Sequence, residues 1–362
     1  MDYLFLVMVG FLAFGNGAND NFKGFATVWG SGTLSYRYAL SLATIATVAG
    51  GVASLLLADG LVKQFSGRGL VSDAIASAPW FIQSVAAGAS ITILVATKAG
   101  LPVSTTHALI GGLVGAGLAA ESGAVQLSRL GTAFFLPLLA SPLLAAALGL
   151  LAYRALSGRK LKKDCLCLVE MPVQKLVTGA SVGVAPLQME HRLILDDQKE
   201  CDSLRASAAS LNLGDSAQLV HVTSATLICF ARGVNDTPKL AALLLAAGVA
   251  GVQESVFLIV LAMAAGGLLY ARRVAETMSQ RLSRMDNTQG ITANLITATM
   301  VLLASKFSLP VSTTHVSVGA IAGVGASAAT LDRKMLRNIL LSWVVTLPLA
   351  ALIAFVVAQT AS

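Results

Sequence analysis

The chain has 362 residues, of which 56% are hydrophobic and only 12% charged. Soluble domains carry about 25% charged residues, so this composition excludes an ordinary soluble enzyme or binding module and predicts an integral membrane protein. The formal net charge of +7 does not point to nucleic acid, because the basic residues flank apolar segments as cytoplasmic loops require.

A membrane-spanning helix needs about 20 apolar residues. The run from Tyr3 to Phe14 follows no basic segment, and no small-residue cleavage site precedes Asn19-Asp20. It is therefore expected to be the first half of a membrane helix and not a cleaved leader. In the first half, residues 2–33 form an apolar stretch interrupted at Gly15 to Lys23, followed by stretches at 37–58, 73–98, 103–121 and 130–154. Residues 217–249, interrupted at Arg232 to Lys239, then 253–273, 289–306, 311–330 and 336–359 repeat the series. Five elements per half is an odd number, so two consecutive copies are expected to insert with opposite orientations. The predicted fold is an all-α integral membrane protein of two inverted repeats, residues 1–154 and 217–362, with discontinuous or re-entrant helices. Secondary transporters are commonly built this way, with the substrate at the midplane.

Residues 155–216 lie between the halves and are polar and rich in charge of both signs. Arg159, Lys160, Lys162 and Lys163 directly follow a membrane helix, which predicts a cytoplasmic insert in a multi-pass protein of the inner (plasma) membrane. The short apolar runs Cys165 to Val169 and Leu193 to Leu195 suggest that the insert is β-rich. Cys165, Cys167, His191 and Cys201 have the donor types of a zinc site. Their spacing fits no strong pattern, and incidental reduced thiols are the better reading. No metal or other cofactor is expected, and the four cysteines (Cys229 is the last) do not form a secreted disulfide framework.

The heptapeptide Leu101-Pro102-Val103-Ser104-Thr105-Thr106-His107 recurs unchanged at Leu309 to His315. Lys98 falls on Lys306, and Gly111 and Gly115 on Gly319 and Gly323. Upstream, Gly17-Ala18-Asn19-Asp20-Asn21-Phe22-Lys23 pairs with Gly233-Val234-Asn235-Asp236-Thr237-Pro238-Lys239. Two islands repeated once in the same order show that the chain is a duplicated half.

A proline followed by three hydroxyl residues predicts a helix start in each heptapeptide, with proline in the first turn and hydroxyls capping free N–H groups. Such N-termini carry partial positive charge and unpaired amides, which suits an anion. Two copies related by a pseudo-twofold would aim Ser104, Thr105, Thr106, Ser312, Thr313 and Thr314 at one centre. Plain capping is the competing reading. His107 and His315 are candidates for proton transfer or for packing that orients the turn. In the other island, Asp20 and Lys23, like Asp236 and Lys239, lie three residues apart on one helical face. Isolated charges in lipid are costly, whereas pairs lining a polar cavity are tolerated. A structural ion pair competes with the reading in which Lys23 and Lys239 hold an anion while Asp20 and Asp236 exchange protons. Lys98, Lys306 and Arg232 are secondary candidates.

At these residues the sequence resembles the inorganic phosphate transporter (PiT) family. The likeness rests on Gly17 to Asp20, Gly30-Ser31-Gly32, Gln289-Gly290, Ala293-Asn294-Leu295 and both heptapeptides, and it leaves out the central insert. It implies an inverted-repeat carrier for a tetrahedral oxyanion, bound at Asn19, Asp20, Ser104, Thr105, Thr106 and their second-half equivalents, Asn235 and Asp236 included. The family motif usually ends in an asparagine that helps hold sodium; here that position is Lys23 and Lys239. A fixed ammonium excludes sodium and resembles the sulfate permease branch. The expected function is therefore sulfate import by proton symport and alternating access, with phosphate symport on the same scaffold as the alternative. An anion channel and a membrane enzyme are the less favoured classes, and a homodimer is a guess from the scaffold.

Overall fold

The computed structural model describes residues 2–57, 59–120, 125–157, 165–173, 188–196 and 210–361. The chain divides into two compact units, Met1–Arg154 with His221–Ser362, and Ala155–Val220.

In the first half of the larger unit, α1 (Asp2–Asp20) gives way at Lys23–Phe25 to a 3-10 turn and then to the short α2 (Ala26–Gly30). There follow α3 (Tyr36–Leu57), the short α4 (Asp59–Phe65) and α5 (Asp73–Ala76), then α6 (Pro79–Lys98) and α7 (Thr105–Ala120). A last helix begins as α8 (Leu127–Arg129), widens to π winding over Leu130–Phe135 and continues as α9 (Leu136–Ser157). The second half runs through α10 (Leu213–Ala246), α11 (Val252–Tyr270), the short α12 (Arg272–Glu276) with a π turn at Thr277–Leu282, α13 (Asn287–Lys306), α14 (Thr313–Ser327) and α15 (Arg333–Ala361). The long helices α1, α3, α6, α7 and α9 of the first half answer in order to α10, α11, α13, α14 and α15 of the second, whereas the short α2 has no counterpart. Six helices among the described residues are long and apolar enough to cross a membrane, three from each half.

Local chemistry explains several boundaries. Residues 73–98, expected as one element, split in two because Pro79 takes the first-turn position of α6, where its missing N–H costs nothing. A reciprocal capping box between Asp286 and Gln289 opens α13. The interruption expected at Arg232 to Lys239 is absent: α10 runs unbroken through Pro238. Close packing on α3 holds both of its turns, with Gly233 against the Thr47 carbonyl and Gly50 against the Phe230 carbonyl. Only the first half breaks, after Asp20.

The two halves interlock. Helix α1 packs on α11, where Gly17 meets the Met263 backbone, while its counterpart α10 packs on α3. Likewise Gly115 of α7 lies on the Ala351 carbonyl of α15, and Gly323 of α14 on the Ala146 carbonyl of α9. Hydrocarbon gives no hydrophobic drive between helices, so close backbone approach at small residues supplies the contact energy. Each half therefore buries its small-residue faces against the other.

In the smaller unit, β1 (Cys165–Val173), β2 (Gln188–Asp196) and β3 (Ser210–Asn212) form an antiparallel sheet in the order β2-β1-β3. The β-rich insert is thus a sheet. In the register of the sheet Cys165 and Cys167 stand opposite Asp196 and Ile194, and His191 opposite Glu170. Cys201, the remaining zinc-type donor, lies outside the described residues.

Candidate functional site

Helix α7 begins at Thr105 and α14 at Thr313, as the hydroxyl motif predicts. The prolines do not take the first turn, however. Ser104 and Ser312 are the N-caps, and their hydroxyl oxygens accept the backbone N–H groups of His107 and His315 at 3.1 and 3.3 Å. Pro102 and Pro310 sit two residues earlier, in the extended lead-in. The capping reading therefore accounts for both serines, and Thr106 and Thr314 carry contacts between the halves.

The lead-in loops meet. Thr314 donates to the Val103 carbonyl at 2.9 Å, and Thr106 to the Val311 carbonyl at 3.4 Å. Between them lie the two lysines. Lys23 Nζ donates to Asn19 Oδ1 at 3.1 Å, Val103 O at 3.0 Å, Thr314 Oγ1 and Asp20. Lys239 Nζ donates to Val311 O at 2.7 Å and Thr106 Oγ1 at 3.0 Å, and lies 3.7 Å from Asp236. Each ammonium thus takes a carbonyl and a carboxylate from its own half and a threonine hydroxyl from the other. All four side chains are nearly fully buried. The three-residue spacing from Asp to Lys puts each pair on one face of the chain.

Asn19 and Asn235 hold the loops in place. Asn19 accepts from the Val103 N–H and donates to Thr97 and the Leu101 carbonyl; Asn235 donates to Thr313 and Val311 O and accepts from Ser305. Thr97 and Ser305 occupy equivalent positions in the two halves. Thr105 donates to Asp20 at 3.2 Å. Eight of the ten expected binding residues and both aspartates are joined in one buried cluster, while Ser104 and Ser312 cap their own helices.

The symmetry fails at one place. Arg232 and Asn16 are equivalent positions one helical turn before Asp236 and Asp20. They also meet: Arg232 Nη2 donates to Asn16 Oδ1 at 2.5 Å, and its Nε lies 3.5 Å from Asp236. Asn16 in turn donates to Thr105 at 2.8 Å and Asp236 at 3.2 Å. Counting only two lysines and two aspartates gives a neutral centre. Arg232, 1% exposed, adds a third cation, and the cluster is formally +1. The sequence signal for Arg232 and Asn16 is their spacing of four from each aspartate, on the same helical face. Thr97 carries no comparable signal.

The family profile described as the phosphate transporter family matches residues 16–354, which takes in both halves and every residue of this cluster. The chain belongs to the phosphate transporter family. Among relatives, a protein of Thermococcus kodakarensis named "Putative phosphate permease" is 30% identical over 97% of this chain and 95% of its own length. The chloroplastic inorganic phosphate transporter 2-1 of Arabidopsis thaliana is 26% identical over 98% of this chain and 71% of its own. A solved structure, "The sodium-dependent phosphate transporter", superposes with a TM-score of 0.75 at 22% identity, covering 99% of this chain and 98% of that one. That likeness speaks for the fold. None of these relatives is named for sulfate.

In this member of the phosphate transporter family the two motif histidines pack together behind the cluster. Their rings meet edge to face with centroids 4.4 Å apart, and His315 lies 3.8 Å from the Trp343 ring. Trp343 Nε1 donates to the Pro102 carbonyl at 3.0 Å. These contacts fix the lead-in loop, which is the orienting role weighed against proton transfer. Lys98 and Lys306 end their helices at exposed positions outside the cluster.

Proposed function

We propose that this chain is a secondary-active carrier that imports inorganic phosphate with protons and without sodium, by alternating access of two halves inserted with opposite orientations. The insert is on the cytoplasmic side. The observation that carries the reading is the pair of buried ammonium groups, each enclosed by carbonyl, hydroxyl and carboxylate oxygens contributed by both halves. Such an oxygen cage is what a small hard cation takes. Lys23 and Lys239 fill it with a tethered charge, so a sodium ion has no place beside the anion. Held in their cages, the same two ammonium charges draw an oxyanion to the centre.

Phosphate is favoured over sulfate for a chemical reason as well as by the family. When ionised, Asp20 and Asp236 can accept hydrogen bonds but not donate them. They match the O–H of a protonated phosphate, whereas sulfate at neutral pH has no proton to give them. A formally +1 cluster is neutralised by H2PO4−, or equally by HPO4 2− and one proton placed on Asp20 or Asp236. Unpaired charge in a low-dielectric site is costly, so the proton travels with the anion in either form. The lysine substitutions that resemble the sulfate branch give sulfate a second place.

Uptake of radiolabelled phosphate into proteoliposomes tests this. Saturable uptake is expected with choline in place of sodium, raised by an inward proton gradient and resistant to excess sulfate. Uptake that needs sodium would show the lysines to be structural, and uptake abolished by sulfate would return the assignment to the sulfate branch.

A further inference from the structure

Two basic cavities lie outside the cluster. The first, about 920 Å³, is lined by Lys98, Arg272, Arg273 and Thr97, with Glu276 as its one carboxylate. The second, about 480 Å³, is lined by Lys63, Arg68, Arg129 and Ala242, with Asp73 as its one carboxylate. Each sets three cations against one acid. The cations are solvent-exposed, and several are held in place. Arg273 donates to the Lys98 carbonyl at 2.7 Å, Arg272 pairs with Glu276 at 3.2 Å, and the Arg129 guanidinium lies over Gly69, where it takes the space of a side chain.

The cavities sit at opposite ends of the same helices. Lys98 closes α6. The second cavity borders its start, where α5 packs on α6 and Gly67 lies against Phe81. Twenty residues at 1.5 Å each separate the two ends by about 30 Å, the thickness of a hydrocarbon core. Helix α11 says the same. Tyr270 at its end lines the first cavity, while its start follows by one short turn from Ala246, which lines the second.

Each cavity also stops one side chain short of a lysine. The Thr97 hydroxyl, in the wall of the first, bonds Asn19, which bonds Lys23. In the second, Ala242 lies one turn beyond Lys239, and Ser66 follows Phe65, whose ring lies 5.6 Å from the Lys239 ammonium. Phe65 is itself 1% exposed.

We propose that these cavities are the two anion-collecting mouths of one path, one on each membrane face, with Asn19–Thr97 closing the first toward Lys23 and Phe65 closing the second toward Lys239. The proposal rests on the phosphate-import reading. A cleft lined by one sign of charge concentrates the opposite ion and speeds its capture. A phosphate drawn to Lys98 or Arg129 then displaces a single gate to reach an ammonium.

The test uses the full chain with Cys165, Cys167, Cys201 and Cys229 replaced by serine or alanine, carrying either Leu94→Cys or Leu245→Cys, in sealed vesicles of each orientation. A membrane-impermeant thiol reagent is expected to label Leu94→Cys from one face only and Leu245→Cys only from the other. Labelling of both from the same face overturns the proposal. A second arm keeps the natural cysteines. Lys98→Gln and Arg129→Gln are each expected to raise the KM for phosphate about threefold at low ionic strength, and to lose most of that effect in 0.5 M salt, where the Debye length falls to about 4 Å. An unchanged KM for both variants also overturns it. Labelling needs no substrate, so the two readings fail separately. If phosphate is not the cargo, the parent protein takes up none while the labelling pattern stands.

Discussion

Lys23 and Lys239 carry the most specific claim at the scale of single residues, since each ammonium occupies a cage of oxygens drawn from both halves. Replacing Lys23 with asparagine removes the charge and opens the cage. Phosphate uptake by Lys23→Asn in choline is expected to fall at least about tenfold, since a buried carboxylate left without its partner costs about 3–5 kcal/mol. Sodium is expected to restore part of it. Undiminished uptake in choline would remove the ammonium from the counter-ion role. Asp20→Asn separates proton coupling from structure. If Asp20 carries the proton, the variant's residual uptake no longer responds to an inward proton gradient. A preserved response assigns the proton to Asp236 or to the anion itself. Ser104 and Ser312 belong to a different class. Ser104→Ala is expected to cost about 1 kcal/mol of cap stability, visible as a lower midpoint in thermal unfolding of the detergent-solubilised protein, with the KM for phosphate close to that of the parent.

At the scale of elements, the helices meet through glycines placed where backbones touch. Gly115→Leu would push a side chain into the Ala351 carbonyl; overpacking of this kind costs about 1–3 kcal/mol, and a marked loss of thermal stability is expected. Gly10→Ala, where nothing lies within 4 Å, is the matched control and should be neutral or slightly stabilising. The islands that build the site were readable because duplication printed them twice, and hydroxyls after a proline mark a helix start wherever they occur. What was not readable depended on neighbours. Pro238 reads as a break, yet the backbone approach of α3 at Gly233 keeps α10 continuous. Arg232 reads as a secondary candidate, because nothing local shows that its guanidinium reaches across to Asn16 in the other half. The charge of the centre followed from that one contact. The apolar runs of the insert mark it as β-rich, but its strand order follows only from the register.

For the whole molecule, the exchange of contacts between halves means that neither repeat contains a complete site. Residues 217–362 expressed alone lack Thr106 for Lys239, and they expose the α10 face that packs on α3. They are expected to be degraded by membrane proteases, whereas coexpression with residues 1–216 should restore both protein and uptake. Immunoblotting of membranes with and without the partner fragment decides this. A second half that accumulates alone in protease-resistant form would argue that the halves fold as separate bodies.

Trp343 stands where the two motifs meet. Its indole N–H holds the Pro102 carbonyl, and its ring lies against His315, so the one side chain touches the first lead-in loop and the first turn of α14. Indole emission shifts with the polarity and hydrogen bonding around the ring. The protein therefore carries its own optical gauge of the site. With Trp29 and Trp80 replaced by phenylalanine, a phosphate titration read as fluorescence would follow the loops as they part, with no label attached.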